Sequence, residues 1–257
     1  MLYHLFEYLK SVFDFPGDQL MQYISFRALI ASMIAILITI FIGKSIIKKL
    51  QKLQIGEEIR DLGLEGQLAK KGTPTMGGII ILVAILIPTL LFCNLKNIYV
   101  QLLIISTVWL GAIGFIDDYI KVFKRDKEGL HGKFKIIGQV GLGIIVGLTL
   151  YLSDDAVIRE NIEVQRGANS ATEIVHKSEA TKSTKTTIPF FKNNNLDYAN
   201  AFNWLGEYKQ VGGWLLFVFM TILVVTAVSN SANLNDGMDG MAAGNSAIIG
   251  VVLVILA

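Results

Sequence analysis

The chain has 257 residues, of which 53% are hydrophobic and 17% charged, with a mean hydropathy of +0.53. That is far more apolar than a soluble domain of this length needs to be, so a bilayer is its expected solvent. The formal net charge of +2 suggests no nucleic acid partner, and the single cysteine, Cys93, excludes a disulfide framework or a cysteine zinc cluster within the chain.

Residues 2 to 13 place Leu2, Leu5, Phe6, Leu9, Val12 and Phe13 at helical spacing, an amphipathic anchor in the interface that Pro16-Gly17-Asp18 ends. No basic stretch precedes an apolar core there, so it does not read as a cleaved signal peptide. Six apolar stretches follow, at residues 24–43, 77–93, 99–116, 136–152, 211–230 and 241–257. Each is near the ~17 to 25 residues a helix needs to cross the hydrocarbon, and all are too long and continuous for barrel strands. The expected fold is therefore all-α: a polytopic membrane helical bundle with six transmembrane helices, forming one domain over 1–257.

Lysine and arginine orient it. Lys44, Lys48, Lys49, Lys52, Arg60, Lys70 and Lys71 follow the first span, and Lys121, Lys124, Arg125, Lys127, Lys133 and Lys135 follow the third. Basic loops belong in the cytoplasm, which puts 44–76, 117–135 and 231–240 inside and the N-terminus and 153–210 outside. The lysine-rich loops are also where anionic lipid head groups or phosphates would be attracted. Residues 153–210 are rich in Ser, Thr, Lys, Asn and Glu with weak periodicity, and read as a partly disordered extracytoplasmic insertion without catalytic candidates. The final apolar run reaches Ala257 with no Trp, Tyr, Lys or Arg after it, which predicts a chain truncated in mid-span.

Two acidic clusters close apolar stretches on the inner side. Asp117-Asp118 is followed by Lys121, which lies one helical turn from both. Neighbouring helical residues point about 100° apart, so the two carboxylates can meet one ligand only if the helix unwinds there. An interfacial ion pair explains this cluster alone equally well. The second cluster, Asn233-Leu-Asn-Asp-Gly-Met-Asp-Gly240, repeats polar side chains at Asn233, Asp236 and Asp239, with Gly237 and Gly240 between them, which a plain turn does not explain. It is not an EF-hand loop, since Ser246 stands where the closing Glu should be. Gly72-Thr-Pro-Thr-Met-Gly-Gly78 lacks the Gly-Lys-Ser/Thr ending of a phosphate loop and is otherwise a turn into the second span, unless Lys70, Lys71 and the Thr75 hydroxyl bind phosphate oxygens there. His4, His131 and His176 are scattered, without a metalloprotease motif, and His131 reads as a solvated loop histidine. Clustered carboxylates suit Mg2+ and clustered lysines suit phosphates, so phosphoryl transfer at the membrane surface is the chemistry these motifs support.

Together Lys70-Lys-Gly-Thr-Pro-Thr-Met-Gly-Gly78, Asp117-Asp-Tyr-Ile-Lys121, the Lys133 region and Asn233–Gly240 resemble the polyprenyl-phosphate N-acetylhexosamine-1-phosphate transferases, and within them the muramoyl branch. The resemblance covers every span and inner loop. It implies transfer of phospho-N-acetylmuramoyl-pentapeptide from UDP-N-acetylmuramoyl-pentapeptide to undecaprenyl phosphate, with Mg2+, giving lipid I and UMP for peptidoglycan synthesis at the bacterial inner membrane. Asp117 would be the base or lipid-phosphate-orienting group, with Asp118 its partner and both metal ligands. Lys70, Thr75, Lys121 and Lys133 would hold phosphate or nucleotide, and Asn233, Asp236 and Asp239 would line the nucleotide pocket. Membrane lipids and a homodimer are the further partners it allows. Family members carry a further Mg2+-binding Asp and a His-rich loop beyond the point where this chain stops, so these residues alone are expected to be inactive. Two alternatives stand beside it, a relative using UDP-N-acetylglucosamine and a non-catalytic membrane scaffold. A transporter should place ionisable groups near mid-membrane, which this sequence does not.

Overall fold

A computed structural model of the chain describes residues 8, 12, 18–52, 75–124, 126, 129–166, 173–188, 195–237 and 240–256. Most of the amphipathic segment at 2–13 lies outside them; Tyr8 and Val12 are helical and exposed. Helices dominate: α1 (Ile24–Lys52), α2 (Gly78–Phe92), α3 (Ile98–Phe123), α4 (Gly132–Leu152), α5 (Lys209–Asn235) and α6 (Met241–Leu256). Four helical stretches, Ile24–Lys52, Ile98–Phe123, Gly132–Leu152 and Tyr198–Asn235, are long and apolar enough to cross a membrane. At 15 and 16 residues, α2 and α6 are shorter, and at ~1.5 Å per residue they rise less than the hydrocarbon thickness. Large apolar side chains such as Ile24, Phe41, Leu103, Ile81, Leu215 and Val254 face outward. In water such a surface would drive aggregation, whereas lipid tails solvate it, so the chain is a multi-pass membrane protein.

Between α4 and α5 the structure adds strands to the helical fold that the sequence predicts. Strands β1 (Ile158–Arg166) and β2 (Glu173–Thr181) form an antiparallel pair with Ile162 opposite Lys177, and β3 (Lys185–Thr187) pairs with β4 (Asn195–Asp197). The β-branched residues Ile158, Ile162, Val164, Ile174, Val175, Thr186 and Thr187 favour extended backbone. A 3-10 stretch, Tyr198–Tyr208, leads into α5.

The chain divides into two compact units, 1–138 and 139–257, with the division inside α4. In the first unit α1 and α2 run antiparallel. Arg27 donates from Nη1 to the Phe92 carbonyl at 3.4 Å near one end, and Leu50 and Met76 are buried together at the other, with Ile46, Ile79 and Val122 around them. Val122 belongs to α3, so the ends of α1 and α3 and the start of α2 meet in one small core. The Asn97 side chain caps α3 by accepting from the Tyr99 and Val100 amides, and Trp109 Nε1 donates to the Gly138 carbonyl at 2.8 Å, tying α3 to the start of α4.

In the second unit α4 and α5 approach to backbone contact. A Cβ on Gly143 would lie 2.7 Å from Ile222 Cα, and one on Gly147 3.3 Å from Val218 Cα. Small residues four apart are how membrane helices pack without a hydrophobic driving force. On the same face buried Gln139 and Asn230 bond reciprocally: Asn230 Nδ2 donates to Gln139 Oε1 at 2.9 Å, and Gln139 Nε2 to Asn230 Oδ1 at 3.4 Å and Ser229 Oγ at 3.1 Å. At the other end Trp214 packs against Tyr151 and Phe217, with Lys182 Nζ 5.9 Å and 6.0 Å from the Tyr151 and Trp214 ring centres. The Asp197 carboxylate accepts from Thr184 Oγ1 at 2.7 Å and from the Ala199 amide at 3.0 Å, seating the hairpin on the 3-10 stretch.

Gly143→Leu should therefore force α4 and α5 apart and cost about 1–3 kcal/mol, the usual range for overpacking. A lower midpoint in a detergent-denaturation titration is the expected result, and an unchanged midpoint would contradict the backbone contact.

Candidate active site

Asp117 stands where α3 passes from apolar to polar sequence, and its side chain is 13% exposed. A carboxylate so sheltered needs compensation, and three donors supply it. Lys121, one turn on, places Nζ 3.0 Å from Oδ2; Lys135, from the first turn of α4, places Nζ 3.0 Å from Oδ1; and the Leu130 amide donates to Oδ1 at 2.8 Å. The connection between α3 and α4 thus folds back over the end of α3. Its turn passes through Gly129, which is buried at φ +69°.

The helix does not unwind at the acidic pair. α3 runs unbroken to Phe123, so Asp117 and Asp118 point to different sides. Asp117 turns to the α4 connection, while Val122, one turn beyond Asp118, joins the core formed by Leu50 and Met76. Met76 has φ +69°, a left-handed conformation costly for a side chain of this kind, and it is held there by burial among Ile46, Leu50, Ile79 and Val122. Its neighbour Thr75 has a buried Oγ1 with no hydrogen-bond partner among the described residues. The Thr75-Met76 segment and the end of α3 that carries Asp117 and Lys121 therefore share one end of the first unit.

In the second unit Asn233 lies in the last turn of α5, and Asp236 caps that helix through its amide to the Ala232 carbonyl. Both are exposed. The helix ends at Asn235, so the three-residue repeat does not continue along one helical face; Gly240, at φ +74°, directly precedes α6. Asn245 Nδ2 of α6 donates to Asn235 Oδ1 at the end of α5 at 3.1 Å.

Of the residues singled out by sequence, Asp117 and Lys121 are in direct contact, with Thr75 and Asp118 near the same end of the first unit. Asn233 and Asp236 sit together in the second. Lys70 and Asp239 lie outside the described residues. Lys133 is exposed at the start of α4, and it is Lys135, two positions on, that reaches Asp117. Residues two apart on a helix point to nearly opposite sides, so the helical start at Gly132 selects one of these two lysines. Leu130 and Gly129 were also missed, because a backbone donor leaves no trace in side-chain chemistry; the lone signal was Gly129 itself.

Comparison with known proteins agrees with these motifs. Residues 70–82 match the phospho-N-acetylmuramoyl-pentapeptide-transferase signature 1. The chain is 63% identical over 257 residues to the phospho-N-acetylmuramoyl-pentapeptide-transferase of Parabacteroides distasonis, and 63% identical over 258 residues to that of Phocaeicola vulgatus. It is 55% identical over 256 residues to that of Flavobacterium psychrophilum. These alignments take in 100%, 100% and 96% of the chain, and it spans about 61% of the length of each of these relatives. The model of glycosyl transferase family 4 matches residues 100–257, well over half of the chain and including both acidic clusters, and the chain belongs to that family.

Proposed function

We propose that the protein to which this chain belongs transfers phospho-N-acetylmuramoyl-pentapeptide from its UDP-activated form to undecaprenyl phosphate, releasing UMP and forming lipid I. The observation that carries this is the sheltered Asp117 carboxylate with two lysines on it, at the same end of the unit as Thr75, Met76 and Ile79 of the matched signature. A donor diphosphate and an acceptor lipid phosphate both bring negative charge to one place, and lysines gathered around a single carboxylate are the groups that can receive it.

In this reading an oxygen of the lipid phosphate attacks the phosphorus attached to the sugar, the bond to the α-phosphate breaks, and UMP leaves. Asp117 orients the attacking oxygen and takes its proton where one is carried. Lys121 and Lys135 pass from the carboxylate to phosphate oxygens as substrate arrives. Thr75 Oγ1, buried without a partner among the described residues, is a hydroxyl donor suited to the diphosphate. Lys70, Lys133, Asn233, Asp236 and Asp239 are assigned to nucleotide and phosphate binding.

Asp117 offers a hard oxygen ligand of the kind Mg2+ prefers, while Asp118, on another side of the unbroken helix, would join it on the same ion only if the helix end unwound. Such an ion takes one or two carboxylates and completes its shell with substrate phosphates and water. The bound ion would neutralise charge on the diphosphate. We further assign the shorter α2 and α6 to the membrane as fifth and sixth spans, in the bacterial inner membrane with the Asp117 end cytoplasmic. The lysines of α1 after Gly43 and of the α3–α4 connection support that orientation.

The test is UMP release by a protein of the relatives' full length that carries this chain, in detergent, with both substrates and Mg2+. Asp117→Asn should lower turnover by about 10²–10⁴-fold, the range for losing a general acid–base group; retention of wild-type rate would refute the assignment. Lys135→Met should cost roughly ten- to a hundredfold, as when a metal-site carboxylate loses the partner that orients it, and more than Lys133→Met; the reverse order would reinstate Lys133. Chelating the divalent cation should abolish turnover and added Mg2+ restore it, whereas turnover persisting in chelator would exclude the metal.

A further inference from the structure

Gly129 lies so close to the Asp117–Lys121 pair that a side chain there would have to push the pair aside. A Cβ there would sit 2.6 Å from Asp117 Oδ1 and 2.7 Å from Lys121 Cε, and the backbone is left-handed at φ +69°. The left-handed conformation selects glycine by itself, and the contacts, both with side-chain ends, mean that a Cβ there would have to displace the carboxylate or the lysine. Gly132, three residues on in the same connection, has nothing within 4 Å of its Cβ position, so the close approach belongs to this point of the turn and not to the turn as a whole. The Gly129 amide is itself tied down, donating to the Asp126 carbonyl at 3.1 Å. The next amide, that of Leu130, is delivered to Asp117 Oδ1 at 2.8 Å.

We propose that Gly129 is a positioning residue for the reaction: its left-handed, side-chain-free backbone lets the α3–α4 turn lie on the Asp117–Lys121 pair, so that the Leu130 amide fixes the orientation of the carboxylate. This rests on the reading of Asp117 as the group that meets the acceptor phosphate. Lys121 and Lys135 hold the same carboxylate, but they are long, mobile side chains that substrate phosphates draw away. A backbone amide cannot follow them. It keeps Oδ1 in place after the lysines have left, when orientation matters most to the rate.

The experiment compares Gly129→Ala, Gly132→Ala and Asp117→Asn in the full-length protein, with turnover expressed per folded molecule. Gly129→Ala should lower turnover by about ten- to a hundredfold, the scale of a misplacement near 1 Å, with the KM for the nucleotide substrate within about twofold of wild type. Gly132→Ala should keep the wild-type rate. Wild-type turnover in Gly129→Ala, or a loss matched by an equal rise in nucleotide KM, overturns the proposal. If Gly129→Ala does not fold, hydrogen exchange decides in its place: Asp117→Ala should speed exchange at the Leu130 amide at least about tenfold, and unchanged exchange overturns the proposal. Wild-type turnover in Asp117→Asn would instead remove the reading of the site, and the proposal with it, so the two failures are distinguishable.

Discussion

A sheltered carboxylate must be compensated, and one end of the first unit serves that requirement at Asp117. The Asp117 side chain is largely sheltered and an unpaired charge there is costly, so the chain brings Lys121 from the same helix, Lys135 from the next and the Leu130 amide from the turn between them. To do so α3 must continue intact past the acidic pair, the connection must double back within a few residues, and α4 must begin at Gly132 so that Lys135 faces inward. The same end of the unit is closed by Met76, held left-handed in a small core with Leu50 and Val122. Local strain and close contact are thus concentrated at the end of the unit that holds Met76 and Asp117, as expected where geometry is needed for chemistry.

Away from that end the structure is held by different means. With lipid as solvent, apolar surface gains little by leaving it, and the helices associate through close backbone approach and paired amides. The Gly143–Ile222 and Gly147–Val218 contacts supply the first, and the Gln139–Asn230 pair the second. On the side of the hairpins, Tyr151, Trp214 and Phe217 with Lys182 form an aromatic layer of the kind that suits the boundary between hydrocarbon and water.

How much of this could be read from sequence depends on whether the signal was local. Hydropathy located the helices, because a bilayer imposes a length and a polarity on each one. It placed α2 at 77–93, within one residue of the observed helix at each end. Lys121 was legible as the helical neighbour of Asp117, whereas Lys135 was hidden behind Lys133 because the choice between them depends on where α4 begins. The hairpins in 153–210 carried β-branched residues at extended spacing, but polar composition masked them, and strand pairing is a non-local property. At Asn233–Gly240 the repeat was real in sequence, yet it straddles a helix end, where periodicity ceases to mean a shared face.

The account turns on which groups surround Asp117, and side-chain density in an experimental structure of the full-length, substrate-free protein in a lipid nanodisc measures that directly. It should show Lys121, Lys135 and the Leu130 amide all within hydrogen-bonding distance of the carboxylate, with Gly129 left-handed above it. Density placing Lys135 away from Asp117, with the α3–α4 turn lifted off the end of α3, would contradict it.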